Sequence, residues 1–238
     1  MQRKVLSIVV PCYNEEKTAP FLLKRYSDAL SGRDDVEVII VNDGSKDATQ
    51  EVLEREKINY PFLQLVHIEK NVGYGNAVYM GLQKTSGMYI GWTHGDLQTP
   101  PEDTLRALSI FEKYQEDELL YVKGRRYGRS LFDIFFTVGM SIFESFLFFS
   151  VLNDINAQPN FFRREFLDKW QNPPKDFSLD LYVFLLAKRN GYRTVRFPVY
   201  FGKRFAGVSS WNTSWRNRYK FIKRTISFSF KLRTNLPN

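Results

Sequence analysis

Asn42-Asp43-Gly44-Ser45 follows directly on an apolar run, residues 36–41, which holds one acid, in this chain of 238 residues. A second apolar run, residues 6–10, leads into Pro11-Cys12-Tyr13-Asn14-Glu15, and a third short apolar segment ends in His94-Gly95-Asp96-Leu97-Gln98. Strands that each end in acid, amide and glycine place polar groups along one edge of a parallel sheet, where open α/β sheets bind their ligands. The acids suit ribose and base hydroxyls, or a hard cation that carries a diphosphate. These stretches therefore predict an enzyme that handles a nucleotide-linked substrate.

Strand-like and helix-like segments alternate through the first half of the chain. We predict strands at 6–10, 36–41, 62–68, 88–92 and 119–123, and helices at 15–30, 46–56, 75–84 and 100–114. This alternation predicts an α/β fold, with a mainly parallel, Rossmann-like sheet and helices on both faces.

The length of the chain fits one large domain with a short annex. We expect a catalytic domain over residues 1–210, with halves at 1–118 and 119–210. A basic and aromatic C-terminal segment follows at 211–238. The single cysteine, Cys12, excludes an internal disulfide and fits a reducing compartment.

Charge is distributed unevenly along the chain, although the net charge is +8. Residues 1–118 contain 13 Lys and Arg against 19 Asp and Glu, whereas residues 119–238 contain 21 against 7, and no acid follows Asp180. The back half therefore predicts an anionic partner, which is nucleic acid, an anionic lipid headgroup or a phosphorylated substrate. Nucleic acid is the weakest of these candidates, because no recognised nucleic-acid motif accompanies the charge.

Two segments of the back half have the pattern of amphipathic helices. Residues 131–152 are mostly Phe, Leu, Ile and Val, with Asp133 and Glu144 on one narrow polar stripe. Such a helix either lies in a membrane interface or packs in a core or a homodimer contact. Residues 211–233 combine six aromatic side chains with seven Lys and Arg and no acid. That combination is typical of a peripheral membrane anchor.

The motifs together support a resemblance. Val10-Pro11-Cys12-Tyr13-Asn14-Glu15, Val41-Asn42-Asp43-Gly44-Ser45-Lys46-Asp47 and Asn71-Val72-Gly73-Tyr74-Gly75-Asn76-Ala77 resemble motifs of family-two glycosyltransferases of the A-type fold. Asp96-Leu97-Gln98 and the closing Arg204-Phe205-Ala206-Gly207-Val208-Ser209 are similar to the polyprenyl-phosphate branch, which is dolichyl-phosphate mannose synthase-like. The resemblance covers residues 5–210 and implies an A-type glycosyltransferase fold, with a nucleotide-sugar-binding half at 1–118 and an acceptor half at 119–210. It also implies an inverting enzyme that moves a sugar from a nucleotide-sugar donor to a polyprenyl phosphate acceptor.

The resemblance assigns the donor site to the front half of the chain. The matching nucleotide-binding residues are Pro11, Tyr13, Glu15, Asp43, Asn71 and Gly73. Two of these have other interpretations, because Tyr13 could be a packing residue and Asp43 could begin a turn with Gly44. Gly73 and Gly75 let the backbone approach a ligand closely, but the pair lacks a third glycine in register, so it is a weak dinucleotide fingerprint.

The resemblance also implies a divalent cation, Mn²⁺ or Mg²⁺. Asp96 matches the carboxylate ligand, and Gln98 could add an oxygen ligand. The family pattern has two acids before Leu-Gln, and His94 stands in the place of the first. Imidazole is a poorer ligand than carboxylate for Mg²⁺ and is acceptable to Mn²⁺, so we predict a preference for Mn²⁺. The alternatives are that His94 only hydrogen-bonds the donor, or that metal binding is weak.

The acceptor side rests on basic residues and one further acid. The candidate catalytic residues are Asp96, Asp180, Arg125 and Arg204, and the candidate ligands of the acceptor phosphate are Arg126, Arg129 and Ser209. A phosphate is already ionised near neutral pH, so it needs positive partners rather than a strong base. If the acceptor is a sugar hydroxyl, Asp180 is the candidate general base. Its other interpretation is an acid favoured by the dipole at a helix start.

Three functions remain open from the sequence. The first is transfer to a polyprenyl phosphate at the cytoplasmic face of the cell membrane, with peripheral contact to anionic lipid. The second is transfer to a saccharide hydroxyl with Asp180 as base. The third is a non-catalytic nucleotide-sugar or membrane-binding module in which His94 marks a decayed site. The apolar run near the N-terminus is too short for a signal-peptide core, because Pro11 and polar residues follow it.

Overall fold

The computed structural model describes residues 4–202 and 215–235, and it is built around one seven-stranded sheet. The strands are β1 (Leu6–Cys12), β2 (Val36–Asp43), β3 (Leu63–Ile68), β4 (Tyr89–Trp92), β5 (Leu120–Tyr127), β6 (Asn160–Arg163) and β7 (Arg193–Tyr200). Their order across the sheet is β3-β2-β1-β4-β6-β5-β7. Strand β6 is antiparallel to both of its neighbours, and the other paired strands are parallel.

Helices cover both faces of this sheet. They are α1 (Ala19–Ala29), α2 (Thr49–Glu56), α3 (Tyr74–Leu82), α4 (Glu102–Lys113), α5 (Leu131–Phe148), α6 (Leu179–Arg189) and α7 (Trp215–Asn235). Helices α1, α2 and α4 contribute to the core on one face, and α3, α5, α6 and α7 contribute to the core on the other. The predicted α/β class, with a mainly parallel sheet between helices, is confirmed.

The alternation of side chains along β2 shows how one sequence serves two cores. Val36, Val38 and Ile40 belong to the core on the α1 face, whereas Ile39 and Val41 belong to the core on the α3 face. Successive side chains of a strand point to opposite faces, so a strand buried on both sides has a nearly continuous apolar sequence, which the buried Glu37 interrupts in β2. This run brings Asp43 to the carboxyl end of the sheet.

The sheet contains two strands that the sequence pattern did not predict. Strand β6 has only four residues and leads directly into a 3₁₀ helix, Arg164–Lys169, so its apolar run is too short to separate from a helix. Strand β7 contains Pro198 and alternates basic with apolar residues. It lies at the edge of the sheet, where proline is tolerated because a ladder hydrogen bond is not needed on the open side.

Helix α1 begins at Ala19, four residues after the predicted start. Pro20 occupies its first turn, where a missing N–H leaves no hydrogen bond unmade. The preceding residues form a turn in which Asn14 has a positive φ of 56°. These residues therefore belong to the loop at the carboxyl end of β1 and not to the helix.

Helix α5 packs on α7 and leaves much of its apolar surface exposed. It ends before Phe149, which has a left-handed φ of 51°, so the predicted continuation to residue 152 is wrong. Ser141, Glu144 and the last residues of the helix are buried, whereas Leu131 is 85% and Phe135 is 75% exposed. Among the described residues, α5 is the one helix long and apolar enough to cross a membrane.

Glu144 gives the α5–α7 contact a predicted pH dependence. Its side chain is fully buried, and its Oε1 atom accepts a hydrogen bond from Ser229 Oγ of α7 at 2.6 Å. Burial raises the pKa of Glu144 to about 7 from 4.5, although the Ser229 hydrogen bond opposes this rise. A carboxyl whose pKa is higher in the folded state favours folding at low pH, and this contribution is lost as the pH rises from 4.5 to about 7.

Glu144→Gln is therefore expected to flatten the pH dependence of stability. Between pH 5 and 8 the variant should lose about 2 kcal/mol less unfolding free energy than the parent protein. Urea unfolding at several pH values measures this difference, with Glu51→Gln, an exposed acid on α2, as the control. Equal pH slopes in the parent protein and Glu144→Gln would contradict the prediction.

Candidate functional site

The loops that follow β1 and β2 are joined by hydrogen bonds at the carboxyl edge of the sheet. The backbone N–H of Asn14 donates to Ser45 Oγ at 2.9 Å, and the N–H of Lys46 donates to Asn14 Oδ1 at 2.8 Å. The N–H of Glu15 donates to Thr49 Oγ1 at 2.8 Å. Tyr13, next to these hydrogen bonds in the loop after β1, is 41% exposed. The structure thus brings the predicted base-and-ribose loop against the start of α2.

Asp43 stabilises the turn that precedes α3 through two hydrogen bonds. It is 3% exposed, and its two carboxylate oxygens accept hydrogen bonds from the N–H groups of Val72 and Gly73 at 3.2 and 3.1 Å. Asn71, the neighbouring candidate, is exposed, and its backbone N lies 2.5 Å from where a Cβ on Gly44 would be. Asp43, Asn71 and Gly73 are therefore brought together, as the sequence predicts, and Asp43 has a structural task there.

Gly73 and Gly75 make room for the chain's own backbone. Gly73 has a φ of 124°, and a Cβ there would lie 2.5 Å from the carbonyl oxygen of Lys175. A Cβ on Gly75 would lie 2.3 Å from the carbonyl oxygen of Pro174 and 2.6 Å from that of Asp176. Residues 174–176 of the chain thus make a close backbone approach to this pair.

Gly75→Ala is expected to destabilise the protein by about 1–3 kcal/mol, because backbone atoms must move to admit the methyl group. Gly139→Ala is the matched control, since a Cβ at this exposed position of α5 meets nothing within 4 Å. The control should be neutral or more stable by about 0.5–1 kcal/mol. Urea unfolding compares the two variants. If the urea midpoint of Gly75→Ala equals that of Gly139→Ala, residues 174–176 move aside without a cost in stability, and the prediction is wrong.

Asp96 lies in a tight turn after β4. It is 5% exposed, and its Oδ1 atom accepts a hydrogen bond from the N–H of Gln98 at 3.1 Å. The side-chain amide of Gln98 donates to the carbonyl oxygen of Gly202 at 3.0 Å, and the N–H of Gly202 donates to the Gln98 carbonyl at 2.8 Å. The ring of His94 packs edge-on against the ring of Phe201, with 5.7 Å between the ring centroids. Residues 94–98 are therefore joined to the end of β7.

Cys12 is close to acids of two loops, Glu15 after β1 and Asp96 after β4. A Cβ on Gly95 would lie 2.8 Å from the carbonyl oxygen of Pro11 and 2.9 Å from Cys12 Sγ, so the Asp96 turn packs on the end of β1. Burial raises the pKa of the Cys12 thiol, and the negative charges of Glu15 and Asp96 raise it further. The loop after β1 and the turn that carries Asp96 are thus adjacent at the carboxyl edge of the sheet.

Arginines at the C-terminal end of β5 and just after it meet a single carboxylate. Arg126 donates from its backbone N–H to Asp154 Oδ2 and from Nε to Asp154 Oδ1, both at 2.9 Å. Arg129 Nη2 lies 3.7 Å from the same Oδ1, and its Nη1 donates to Thr137 Oγ1 of α5 at 2.8 Å. Arg125 is exposed beside them. Burial would raise the pKa of Asp154, but Arg126 and Arg129 outweigh this and lower it.

Asp180 is buried beneath the loops, at the start of α6, where it is 2% exposed. Its Oδ1 atom accepts hydrogen bonds from Trp92 Nε1 at 3.3 Å, Asn160 Nδ2 at 3.3 Å and Tyr74 Oη at 3.5 Å. Both interpretations of the sequence remain relevant, because Asp180 is near the candidate site and at a helix start. The remaining two candidates, Arg204 and Ser209, lie outside the described residues.

A comparison of sequences identifies the family. The sequence model described as Glycosyl transferase family 2 matches residues 7–182. The chain belongs to this family. The undecaprenyl-phosphate 4-deoxy-4-formamido-L-arabinose transferase of Pseudomonas fluorescens (strain Pf0-1) is 35% identical over 129 residues, which are 53% of this chain and 37% of that protein. The uncharacterized glycosyltransferase YkcC of Bacillus subtilis (strain 168) is 33% identical over 129 residues, 53% of this chain and 39% of that protein. The matches thus span less than two-fifths of these relatives.

Solved structures match the fold of this family-two chain along nearly its whole length. The mannosyltransferase PcManGT from Pyrobaculum calidifontis, in complex with GDP-Man and Mn²⁺, has a TM-score of 0.68 and 21% identity, covering 97% of this chain and 65% of that one. Glucosyl-3-phosphoglycerate synthase from Mycobacterium tuberculosis, in complex with UDP, has a TM-score of 0.71 and 17% identity, covering 99% and 82%. At these identities the likeness shows the fold, and the predicted A-type glycosyltransferase fold is confirmed.

The fold family implies a divalent cation, and Asp96 is its candidate ligand. No group of three or more His, Cys, Asp or Glu side chains forms a ready metal site within residues 4–202 and 215–235. Mg²⁺ in phosphate-handling sites usually binds to one or two carboxylates together with the substrate's phosphates. A nearly buried carboxylate at the carboxyl edge of the sheet suits a cation that arrives with the donor diphosphate. We therefore keep Asp96 as the candidate ligand, with Gln98 and His94 beside it.

His94→Asp is expected to raise the activity with Mg²⁺ relative to that with Mn²⁺, because carboxylate is the better ligand for the harder ion. His67→Gln is the control, because His67 is the other histidine of the chain and its Nε2 lies 2.8 Å from Glu54 Oε1, away from the Asp96 turn. Initial rates with each cation give the ratio. If His94→Asp leaves the ratio of the Mg²⁺ rate to the Mn²⁺ rate unchanged, His94 is not a ligand of the cation.

Three residues to which sequence reasoning gave no role lie around the acceptor side. Asp154 holds Arg126 and Arg129, and Lys123 and Asn160 are fully buried next to Asp180. The charge asymmetry of the chain pointed to the arginines but not to the acid that orients them. Lys123 and Asn160 are 37 residues apart in sequence, so only the pairing of β5 with β6 could have revealed them.

Proposed function

We propose that this chain is an inverting glycosyltransferase that moves a sugar from a nucleotide-sugar donor to a polyprenyl phosphate. The proposal places the enzyme at the cytoplasmic face of a membrane, with peripheral contact to anionic lipid. A relative named as an undecaprenyl-phosphate transferase and a fold neighbour solved with GDP-Man and Mn²⁺ support the two substrate classes.

The contact between the arginine cluster and α5 carries the proposal. Arg126 and Arg129 share the single carboxylate of Asp154, and Arg125 is exposed beside them, so the cluster retains net positive charge. Arg129 reaches Thr137 on α5, and Leu131 and Phe135 on the same helix are exposed. A positive cluster beside an apolar helix surface fits a ligand that joins a phosphate to a hydrocarbon chain. A polyprenyl phosphate is such a ligand.

The chemistry needs little proton transfer on the acceptor side. An oxygen of the acceptor phosphate attacks the anomeric carbon from the face opposite the nucleoside diphosphate. The new C–O bond forms as the bond to the diphosphate breaks, which inverts the anomeric configuration. The attacking oxygen is already ionised, so positive charge that orients it is more useful than a base. Arg125 is our candidate for this contact, because it is exposed and none of its described contacts is with Asp154. Arg126 and Arg129, which do contact Asp154, lie behind it.

The donor side uses the loops at the ends of β1, β2 and β4. We assign the base and ribose to Pro11, Tyr13 and Glu15, and we assign to Asp43 the shape of the turn at Gly73, through its two backbone hydrogen bonds. Asp96 would hold a cation, which when bound would neutralise charge on the leaving diphosphate. The hydrogen bond from the Gln98 N–H keeps the Asp96 carboxylate in its turn before any substrate arrives.

The environment of Asp180 favours a phosphate acceptor over a saccharide hydroxyl. A general base must reach the proton that it removes. Three donors from the protein converge on Oδ1 of Asp180, and the residue is almost entirely buried. This arrangement suits an acid that holds other groups in place, and it supports the acceptor that needs no base.

Basic residues on α7 extend the proposed membrane contact. Lys223, Lys231 and Arg233 are exposed, and the Arg233 guanidinium lies 5.3 Å from the ring centre of Phe149, which is 80% exposed. An apolar helix face edged by cations is typical of a helix that lies in the membrane interface. Because Glu144, Leu147 and Phe148 are buried against the protein, we place α5 along the membrane surface and not across the bilayer.

A transfer assay tests the proposal. Nucleotide sugars are offered with Mn²⁺ or Mg²⁺ and with a short polyprenyl phosphate, the matching polyprenol that lacks phosphate, or neither. We expect transfer to the polyprenyl phosphate and none to the polyprenol. Transfer to a saccharide hydroxyl, with none to the lipid phosphate, would replace the proposal by the second candidate. Nucleotide binding without turnover of any donor would replace it by a non-catalytic module.

A further inference from the structure

A buried polar cluster lies beneath the candidate site, between the sheet and α6. Lys123 of β5 and Asn160 of β6 have no exposed surface, and Asp180 is 2% exposed. The sheet register pairs Lys123 with Asn160, and Asn160 in turn with Trp92 of β4. An ammonium and a carboxylate removed from water are strongly unfavourable unless each is hydrogen-bonded and compensated by the other. Their presence here therefore requires a reason.

The Asn160 amide bridges the two charges. Its Oδ1 accepts hydrogen bonds from Lys123 Nζ at 2.7 Å and Tyr121 Oη at 2.9 Å. Its Nδ2 donates to the Ala157 carbonyl at 3.2 Å and to Asp180 Oδ1 at 3.3 Å. All four hydrogen-bonding positions of a side-chain amide are used, which fixes its orientation. The acceptor side of the amide faces the cation and the donor side faces the anion.

Asp180 connects this pair to the donor loops. Its Oδ1 also accepts from Trp92, the last residue of β4, and from Tyr74, the first residue of α3. Trp92 lies two residues before His94 and four before Asp96, and Tyr74 follows Gly73, whose N–H is held by Asp43. The carboxylate thus ties together the starts of the two segments that carry the predicted metal and nucleotide residues.

We propose that Lys123 is a positioning residue that acts through Asn160 to hold Asp180 as a carboxylate, so that Asp180 can gather Trp92 and Tyr74 beneath the donor loops. Burial raises the pKa of Asp180, and the positive charge of Lys123 opposes the rise. Burial lowers the pKa of Lys123, and the negative charge of Asp180 opposes that change. The other titratable and charged groups that face the pair are Tyr74 of α3, Tyr121 and Arg126 of β5, Arg196 of β7 and Asp154.

Lys123→Met tests this role through pH profiles. Without the ammonium the pKa of Asp180 rises further, so a larger fraction of Asp180 is protonated at a given pH. We expect the acid limb of kcat/KM for donor turnover to move up by about one pH unit, which is about a tenfold loss on that limb. The loss should be recovered at higher pH. A loss that is equal at all pH values would show that Lys123 only supports the fold and would overturn the proposal.

A second measurement does not depend on turnover, so it separates this inference from the proposed function on which the activity assay rests. The stability gap between the parent protein and Lys123→Met should widen as the pH rises from 5 to 8, because a raised folded-state pKa loses stability over that range. Glu37→Gln is the control, a buried acid near the opposite edge of the sheet bonded to Ser7, Gln64 and Ser86. A gap for Lys123→Met that is constant with pH would overturn the proposal.

The double variant Lys123→Met/Asp180→Asn covers the case in which Lys123→Met does not fold. It removes both charges, so it should fold. Between pH 5 and 8 its stability relative to that of the parent protein should change only by the amount that the titration of Lys123 and Asp180 contributes in the parent protein. Recovery of folding in the double variant supports the pairing of Lys123 with Asp180. Failure of the double variant, alongside a folded Asp180→Asn, would overturn the proposal.

Discussion

Asp96→Asn is expected to lower cation-dependent donor turnover by about 100-fold to 1,000-fold, the range for loss of one group that stabilises developing charge. Asn keeps an oxygen that can accept the Gln98 N–H, so the turn after β4 should persist. What is lost is the carboxylate charge at the carboxyl edge of the sheet, close to Glu15 and the end of β1. The variant therefore separates the charge from the shape of the turn.

Initial rates across a range of Mn²⁺ concentrations measure this loss, together with the thermal shift that Mn²⁺ and a nucleoside diphosphate cause. The control is Asp28→Asn, since Asp28 pairs with Lys24 on the exposed surface of α1. It should retain parental rates and the parental shift. Full turnover in Asp96→Asn would remove Asp96 from the cation site, and an unfolded variant would show that the turn depends on the charge.

Replacing Lys223, Lys231 and Arg233 by Gln is expected to weaken binding to anionic vesicles by about 100-fold. Each basic residue near an anionic surface contributes about 1 kcal/mol, so three give about 3 kcal/mol. All three side chains are exposed on α7. Truncation before α7 would be a poorer test, because it would also uncover Glu144 and the core contact of Leu232.

Co-sedimentation with vesicles of phosphatidylglycerol and phosphatidylcholine measures the change. The matched control replaces Lys24, Arg55 and Lys57 by Gln, three exposed basic residues of α1, α2 and the turn that follows on the other face of the sheet. This control removes the same charge and should bind like the parent protein. Equal losses in the two triple variants would point to net charge alone, and no loss in the α7 variant would refute the membrane contact.

The sequence predicts those parts of the fold in which neighbours along the chain decide the structure. The apolar runs that end at Cys12, Asp43 and Trp92 are buried strands, and their parallel order brings the polar ends to one edge, as expected from β–α alternation. The prediction that Asp43, Gly73 and Asp96 gather at this edge follows from the same logic. Local pattern was sufficient because each strand and its loop are continuous in sequence.

The sequence does not reveal contacts that depend on distant segments. Strand β6 enters the sheet antiparallel, and this register alone places Asn160 between Lys123 and Asp180. The Gly73–Gly75 spacing resembles a ligand-binding turn, yet residues 174–176 fill the space. In both cases the missing information is the three-dimensional neighbour, which neither hydrophobic period nor motif spacing encodes.

The central claim is that the acceptor atom is a phosphate oxygen and that the transfer inverts the sugar. A donor labelled with ¹³C at the anomeric carbon, incubated with the enzyme and a short polyprenyl phosphate, tests both parts in one NMR spectrum of the product. We predict that the labelled carbon couples to the phosphorus of the lipid and has the anomeric configuration opposite to that of the donor. A labelled carbon bonded to a hydroxyl oxygen without phosphorus coupling, or one with the donor's configuration, would contradict the account.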